Sequence, residues 1–205
     1  MTMRRKIASG ALALALAGLA ACGSVRPSKY YALAIPASAP APAVVRPSPV
    51  ALLIGRLTAP HLYRDDRIVY RTGPERLGTY AYHRWAEPPT EMLEAILLRL
   101  LRESGHYRSV QFLRSNARGD YIVRGHLYNF EEIEGRSVSG RVAFELELYE
   151  NKTGTTVWSQ FYTHDEPVNG KEVEAVVGAL DRNAQRGLQQ AVAGIEQYLA
   201  NHPPN

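Results

Sequence analysis

The sequence predicts an α+β domain: a mainly antiparallel sheet with a leucine-rich helix and a long C-terminal helix packed on one face. Three observations predict it. Val142, Phe144, Leu146 and Leu148 alternate with Ala143, Glu145, Glu147 and Tyr149, the period-2 pattern of an antiparallel sheet with one face buried and one wet. Leu93, Ile96, Leu97, Leu100 and Leu101 fall at helical spacing, and Val173, Val176, Val177, Leu180, Ala184, Leu188, Val192, Ile195 and Leu199 keep a second helical stripe. The order of strands, helix, strands and closing helix then implies helices packed together on the sheet.

The chain opens with the parts of an export signal. Arg4, Arg5 and Lys6 precede an apolar stretch from Ile7 to Leu19, and small residues lead to Cys22. The 15 residues from Ile7 to Ala21 include Ser9, Gly10 and Gly18. A membrane-spanning helix needs about 20 apolar residues, so this run predicts a cleaved signal over residues 1–21. Leu19-Ala20-Ala21-Cys22 resembles the bacterial lipobox, in which a peptidase cuts before a cysteine that carries a diacylglyceryl group on sulfur. Cys22, the only cysteine, is the expected lipid attachment point. The competing explanation is an ordinary secretory signal with an incidental cysteine.

Residues 22–49 read as a lipidated N-terminus, a short strand and a tether. Tyr30-Tyr31-Ala32-Leu33 is too apolar for free linker and suits a strand docked on the body. From Pro36 to Pro49, five prolines in fourteen residues exclude helix and deprive a sheet of donors. As polyproline II, at about 3.1 Å per residue, such a stretch spans on the order of 40 Å.

The body is expected over residues 50–205, enough for one domain. Val50 to Leu57 reads as a buried strand. Arg67 to Arg71 and Thr79 to Trp85 read as a hairpin joined through residues 72–78, with Tyr80, Tyr82 and Arg84 on one face of the second arm. Thr90 is placed to cap the leucine helix and Gly105 to end it. Leu98 lies off the stripe, so it widens the buried face or touches a partner. Strands follow at Val110–Leu113, Tyr121–Phe130, Arg141–Tyr149 and Thr155–Thr163, the last two joined by a turn from Asn151 to Gly154. Asn169 and Glu172 resemble a capping box ahead of the final helix, in which Gly178, Gly187 and Gly194 are candidate bends.

Removing residues 1–21 takes away Arg4, Arg5 and Lys6 and no acid, so 24 basic and 20 acidic residues become 21 and 20, a net +1. A near-neutral body gives no electrostatic reason to expect nucleic acid. With Cys22 acylated, no thiol remains for a disulfide, a metal or a nucleophile. The six histidines never recur at i, i+3 or i+4, and no GxSxG elbow or phosphate-binding loop occurs. The sequence therefore points to no metal, no cofactor and no catalytic residue. Asp65-Asp66, Glu131-Glu132 and Glu145 with Glu147 are expected on solvated faces. The tyrosines around the hairpin suit core packing or a protein contact, with a lipid groove as the alternative.

Several segments in order resemble the ABC-type transport auxiliary lipoprotein family, which includes the paraquat-inducible protein C type. They are the lipobox at Cys22, Tyr30-Tyr31-Ala32-Leu33, the stretch Leu62-Tyr63-Arg64-Asp65-Asp66-Arg67-Ile68-Val69-Tyr70-Arg71, and His83-Arg84-Trp85-Ala86-Glu87-Pro88 running into the leucine helix. Pro89 stands where an apolar residue is expected, and the segment after Leu33 is unusually rich in proline. The resemblance implies a non-catalytic lipoprotein on the periplasmic face of the outer membrane. Its implied partners are an MCE-domain (mammalian cell entry) protein and an ABC permease complex that together move lipids between membranes. Gly23 is not the aspartate that retains some lipoproteins at the inner membrane, in keeping with outer-membrane sorting.

Arg71, Arg84 and Trp85, from their place in these segments, Tyr80 and Tyr82, from the aromatic hairpin, and Leu98, from its place off the stripe, are candidate partner or lipid contacts, and a ring-shaped MCE assembly is compatible with a homo-oligomer. The structural alternative pairs Arg84 with a carboxylate such as Glu87 or Asp65 and puts Trp85 in the core beside the helix. Two other functions compete: a lipoprotein of lipopolysaccharide insertion or secretin assembly, and a periplasmic hydrolase using an acidic pair as its base.

Overall fold

The computed structural model describes residues 26–35, 48–114 and 116–203; the signal segment, Cys22 and most of the proline-rich stretch lie outside these. Among the described residues eight strands form one sheet: β1 (Lys29–Tyr31), β2 (Ser48–Thr58), β3 (Arg67–Gly73), β4 (Arg76–Trp85), β5 (Tyr107–Phe112), β6 (Tyr121–Ile133), β7 (Ser139–Glu150) and β8 (Thr155–Pro167). Two helices, α1 (Pro89–Glu103) and α2 (Val173–Asn201), pack on it, and a 3-10 turn at His61–Tyr63 precedes β3. The fold is α+β, and α1 lies over β2 and β5 while α2 lies over β7 and β8.

The long strand β6 organises the sheet. Along one edge its first half pairs with β2 and its last residues with β3, both parallel; along the other runs β7, antiparallel. β8 continues the antiparallel meander. β2 also pairs with β5 in parallel, and β1 with β4, so the sheet is mixed. The continuous run Val50-Ala51-Leu52-Leu53-Ile54 is almost wholly buried, as a strand between parallel neighbours with both faces covered must be.

The hairpin turn is tighter than the sequence suggests. Gly73 pairs with Arg76, leaving only Pro74 and Glu75 as the loop, and the slack is taken up by an irregularity opposite Arg67–Val69. Both helix starts also differ from expectation. α1 begins with Pro89 at its first position and Pro88 as N-cap, where the missing N–H costs nothing, and Thr90 is buried rather than capping. α2 begins after Glu172, three residues beyond Asn169, with no side-chain cap. Gly105 does end the first helix region in a left-handed conformation, and Gly154 does the same for the β7–β8 turn.

Leu98 joins the core, so it widens the buried face of α1. In α2, Gly187 serves a close approach: a Cβ there would lie 2.6 Å from the Tyr162 ring and 2.9 Å from that of Phe144. Beside it the buried Asn183 fixes the helix to the sheet. Its Nδ2 donates to the carbonyls of Gly140 (2.8 Å) and His164 (2.7 Å), and its Oδ1 accepts from the Tyr162 hydroxyl (2.6 Å).

β1 lies ahead of the proline-rich stretch and is docked on the body. Its three residues pair with His83, Arg84 and Trp85, the Ala86 N–H donates to the Tyr31 carbonyl (2.7 Å), and Leu33 is buried. The segment from Pro36 to Pro49 therefore closes a connection between two strands of one sheet. It does not lie between Cys22 and the first docked strand.

Candidate functional site

The hairpin and β1 carry the predicted residues, and the structure divides them into three environments. Trp85 is 1% exposed and packs edge-on against Phe130, with ring centroids 5.4 Å apart. Trp85 and Leu98 thus belong to the core. Arg71 and Tyr80 are half-buried and bonded inward. Arg84 and Tyr82 remain accessible, although Arg84 Nη1 donates to Asp66 Oδ1 at 2.7 Å. Arg84 thus pairs with a carboxylate, that of Asp66, and its charge also reaches the neighbouring Asp65. Cys22 lies outside the described residues.

Glu131 and Glu132 overturn the expectation of solvated acids. Strand alternation sends them to opposite faces, and both are buried, Glu131 completely. A buried carboxylate must be paired and hydrogen-bonded, and Glu131 is. Its Oε1 accepts from Arg71 Nε (2.9 Å) and Asn129 Nδ2 (3.0 Å), and its Oε2 from Arg71 Nη2 (3.1 Å) and the Tyr63 hydroxyl (2.7 Å). Burial and the adjacent carboxylate push the Tyr63 phenol well above its ordinary value; the bond to Glu131 raises Arg71 further. Glu132 accepts from the Tyr80 hydroxyl at 2.6 Å, and burial pushes its pKa up against the pull of that bond. Both oxygens of Glu131 are committed to internal partners, so this network holds β3 and β6 together and offers no free base. The signal in the sequence is adjacency: two neighbouring acids in a strand cannot share one wet face.

A row of rings tilts from the hairpin to β1. Tyr70 and Tyr80 meet edge-on at 5.2 Å, Tyr80 meets His83 at 5.7 Å, and His83 stacks on Tyr31 at 5.7 Å. The Tyr31 hydroxyl bonds His83 Nδ1 (2.8 Å) and donates to Glu174 Oε1 (2.9 Å), which also receives Lys29 Nζ (3.1 Å). Glu174 is held at about 2 by its own backbone N–H and by these two donors, whereas burial and Glu174 raise Tyr31 to about 12. Asp181 accepts from the Ala34 N–H and Gln185 donates to the Ala34 carbonyl. The N-terminal segment is thus clamped between β4 and α2.

A second aromatic row lies on the open face of the meander: His126 meets Tyr128 at 4.5 Å, and Tyr128 meets Phe161 at 5.7 Å. Phe161 is 56% exposed. Its signal was the dipeptide Phe161-Tyr162, in which alternation buries Tyr162 under α2 and turns Phe161 outward. Beside the row is a surface depression of about 540 Å³ lined by Arg56, Thr58, Arg124 and Glu145. Another, of about 670 Å³, lies between the end of β2 and the start of α1, where Glu94 accepts the Leu57 N–H at 2.7 Å. Among the described residues no three metal-ligating side chains converge, and no helix is long and apolar enough to cross a membrane.

Comparison with known proteins agrees with this architecture. A crystal structure of a Xanthomonas campestris protein of the DUF330 family superposes with a TM-score of 0.75 at 21% identity, covering 85% of this chain and 98% of that one. A crystal structure of an uncharacterized protein gives a TM-score of 0.62 at 15% identity over 85% and 99% of the two chains. At these identities the likeness is one of fold. No curated protein matches the chain. The profile of the ABC-type transport auxiliary lipoprotein component matches residues 31–193, from the β1 strand into the last helix. The chain therefore belongs to the family of ABC-type transport auxiliary lipoproteins.

Proposed function

We propose that the protein is an outer-membrane-anchored periplasmic lipoprotein that acts, without catalysis of its own, as the accessory of an MCE-type ABC system moving lipids between membranes. The observation that carries this reading is the family match across residues 31–193. The lipobox at Cys22 supports the anchor, since a diacylglyceryl group with a further acyl chain exceeds the two lipid signals that stable attachment takes. The commitment of Glu131 and Glu132 to internal partners supports a structural use of the acids that a hydrolase would need free. An MCE-domain protein and the ABC permease are the partners in this reading, and Tyr82 and Arg84 are the accessible hairpin residues for partner or lipid contact.

The test is transfer of pulse-labelled phospholipid between separated inner and outer membranes in a strain lacking the protein. Transfer should fall, and should return with the wild-type chain but not with Cys22→Ala. Unchanged transfer would contradict the proposal and direct attention to another envelope assembly.

A further inference from the structure

We propose that the outer edge of the sheet at β1 and β4, carrying Arg26, Tyr30 and Tyr82, rests on the headgroup layer of the bilayer that holds the Cys22 acyl chains. The proposal rests on lipid attachment at Cys22. Its first argument is reach. Because β1 is docked, the leash between anchor and body is the short stretch before it and excludes the proline-rich segment. Arg26 is already seated on the body, its guanidinium 5.2 Å from the centre of the Tyr82 ring. Only three residues separate Arg26 from Cys22, which makes four residue steps. At about 3.3–3.6 Å per residue they extend to at most about 14 Å. A headgroup layer is roughly 5–8 Å thick, so this edge cannot stand far above the surface.

The second argument is chemistry. Tyr30 is 65% exposed and Tyr82 42%, the most exposed tyrosines of this edge. Tyr30 lies opposite Arg84, two residues from Tyr82, so the rings sit on neighbouring strands. Tyrosine rings favour the membrane–water boundary, where one end is apolar and the other wet. Arg26 adds a cation suited to anionic headgroups. The third argument is rigidity. Glu174, Asp181 and Gln185 fix residues 29–34 to α2, so a load on the anchor passes directly into the last helix and the sheet orientation follows the membrane.

The test uses the lone cysteine. Acylation blocks Cys22, so Tyr30→Cys, or Phe161→Cys on the edge strand β8, can each be labelled singly with a polarity-sensitive fluorophore. Both positions are exposed, and neither change should disturb folding. The lipidated protein is placed in phosphatidylethanolamine vesicles containing phosphatidylglycerol, at less than one copy per vesicle. The same labels on the Cys22→Ala chain in solution give the exposed reference. Expected is a several-fold loss of iodide quenching at position 30, weakened by Arg26→Glu, with position 161 unchanged. Full quenching at position 30 on a chain whose intact mass shows acylation overturns the docking alone. An unacylated intact mass overturns the anchor reading with it. Protection at position 30 only at many copies per vesicle would overturn the proposal in favour of a second copy covering the edge.

Discussion

Arg71 grips Glu131 with two nitrogens, Nε on Oε1 at 2.9 Å and Nη2 on Oε2 at 3.1 Å, around a carboxylate that has no exposure to solvent. Removing one partner of such a pair leaves a buried charge uncompensated. Arg71→Ala should therefore cost about 3–5 kcal/mol of folding stability, and Arg71→Lys, with one nitrogen in place of the fork, less. Urea unfolding followed by circular dichroism would measure both.

Trp85 and Tyr82 share one strand and should respond in opposite ways. Trp85→Ala opens a cavity against Phe130 in the core and should cost about 3–5 kcal/mol. Tyr82→Ala, on an exposed position, should stay within about 0.5 kcal/mol. Arg84→Ala breaks a partly exposed pair with Asp66 and should cost about 1 kcal/mol or less. Thermal unfolding separates the three, and a Trp85→Ala protein with unchanged melting would contradict its core role.

The clamp on β1 should depend on pH at both extremes. The folded-state value of Glu174 is lowered to about 2, so its contribution is present above the ordinary carboxylate value of 4.5 and is lost as pH falls through about 2. Tyr31 is raised to about 12, so its contribution is present below 10 and is lost as pH rises through about 12. Amide exchange of residues 29–33, corrected for the intrinsic rate, should accelerate relative to β6 at both ends. Glu174→Gln should flatten the acid limb.

Two glycines of α2 should give opposite signs. Gly187→Ala drives a methyl into Tyr162 and Phe144 and should destabilise by about 1–3 kcal/mol. At Gly178 a Cβ would meet only the end of the Arg182 side chain at 3.4 Å. Gly178→Ala should stabilise by up to about 1 kcal/mol, because alanine is the better helix former. Equilibrium unfolding of the two variants checks the pair.

What the sequence revealed and what it hid follow from range. The leucine stripe of α1, the long stripe of α2 and the alternation in β7 are local periodicities, and the elements formed where those periods run. The parallel placement of β2 between β5 and β6 is set by pairings scores of residues apart, which no local period encodes. The same holds for Glu131, whose partners Tyr63 and Arg71 come from the 3-10 turn and β3. Trp85 and Arg84 stand out as a motif and alternation puts them on opposite faces, but which face meets the core is set by distant packing, for Trp85 against Phe130 of β6. The proline-rich stretch looks like a tether by composition; only the pairing of β1 with β4 shows that both its ends enter one sheet.

The transport role is tested most directly by crosslinking in intact cells, gentle solubilisation and affinity purification of the tagged protein, beside Cys22→Ala, with bound proteins identified by mass spectrometry. An MCE-domain protein or its permease should be recovered with the wild-type chain and far less with the unlipidated variant. Recovery of neither from a chain whose lipidation is confirmed would contradict the role.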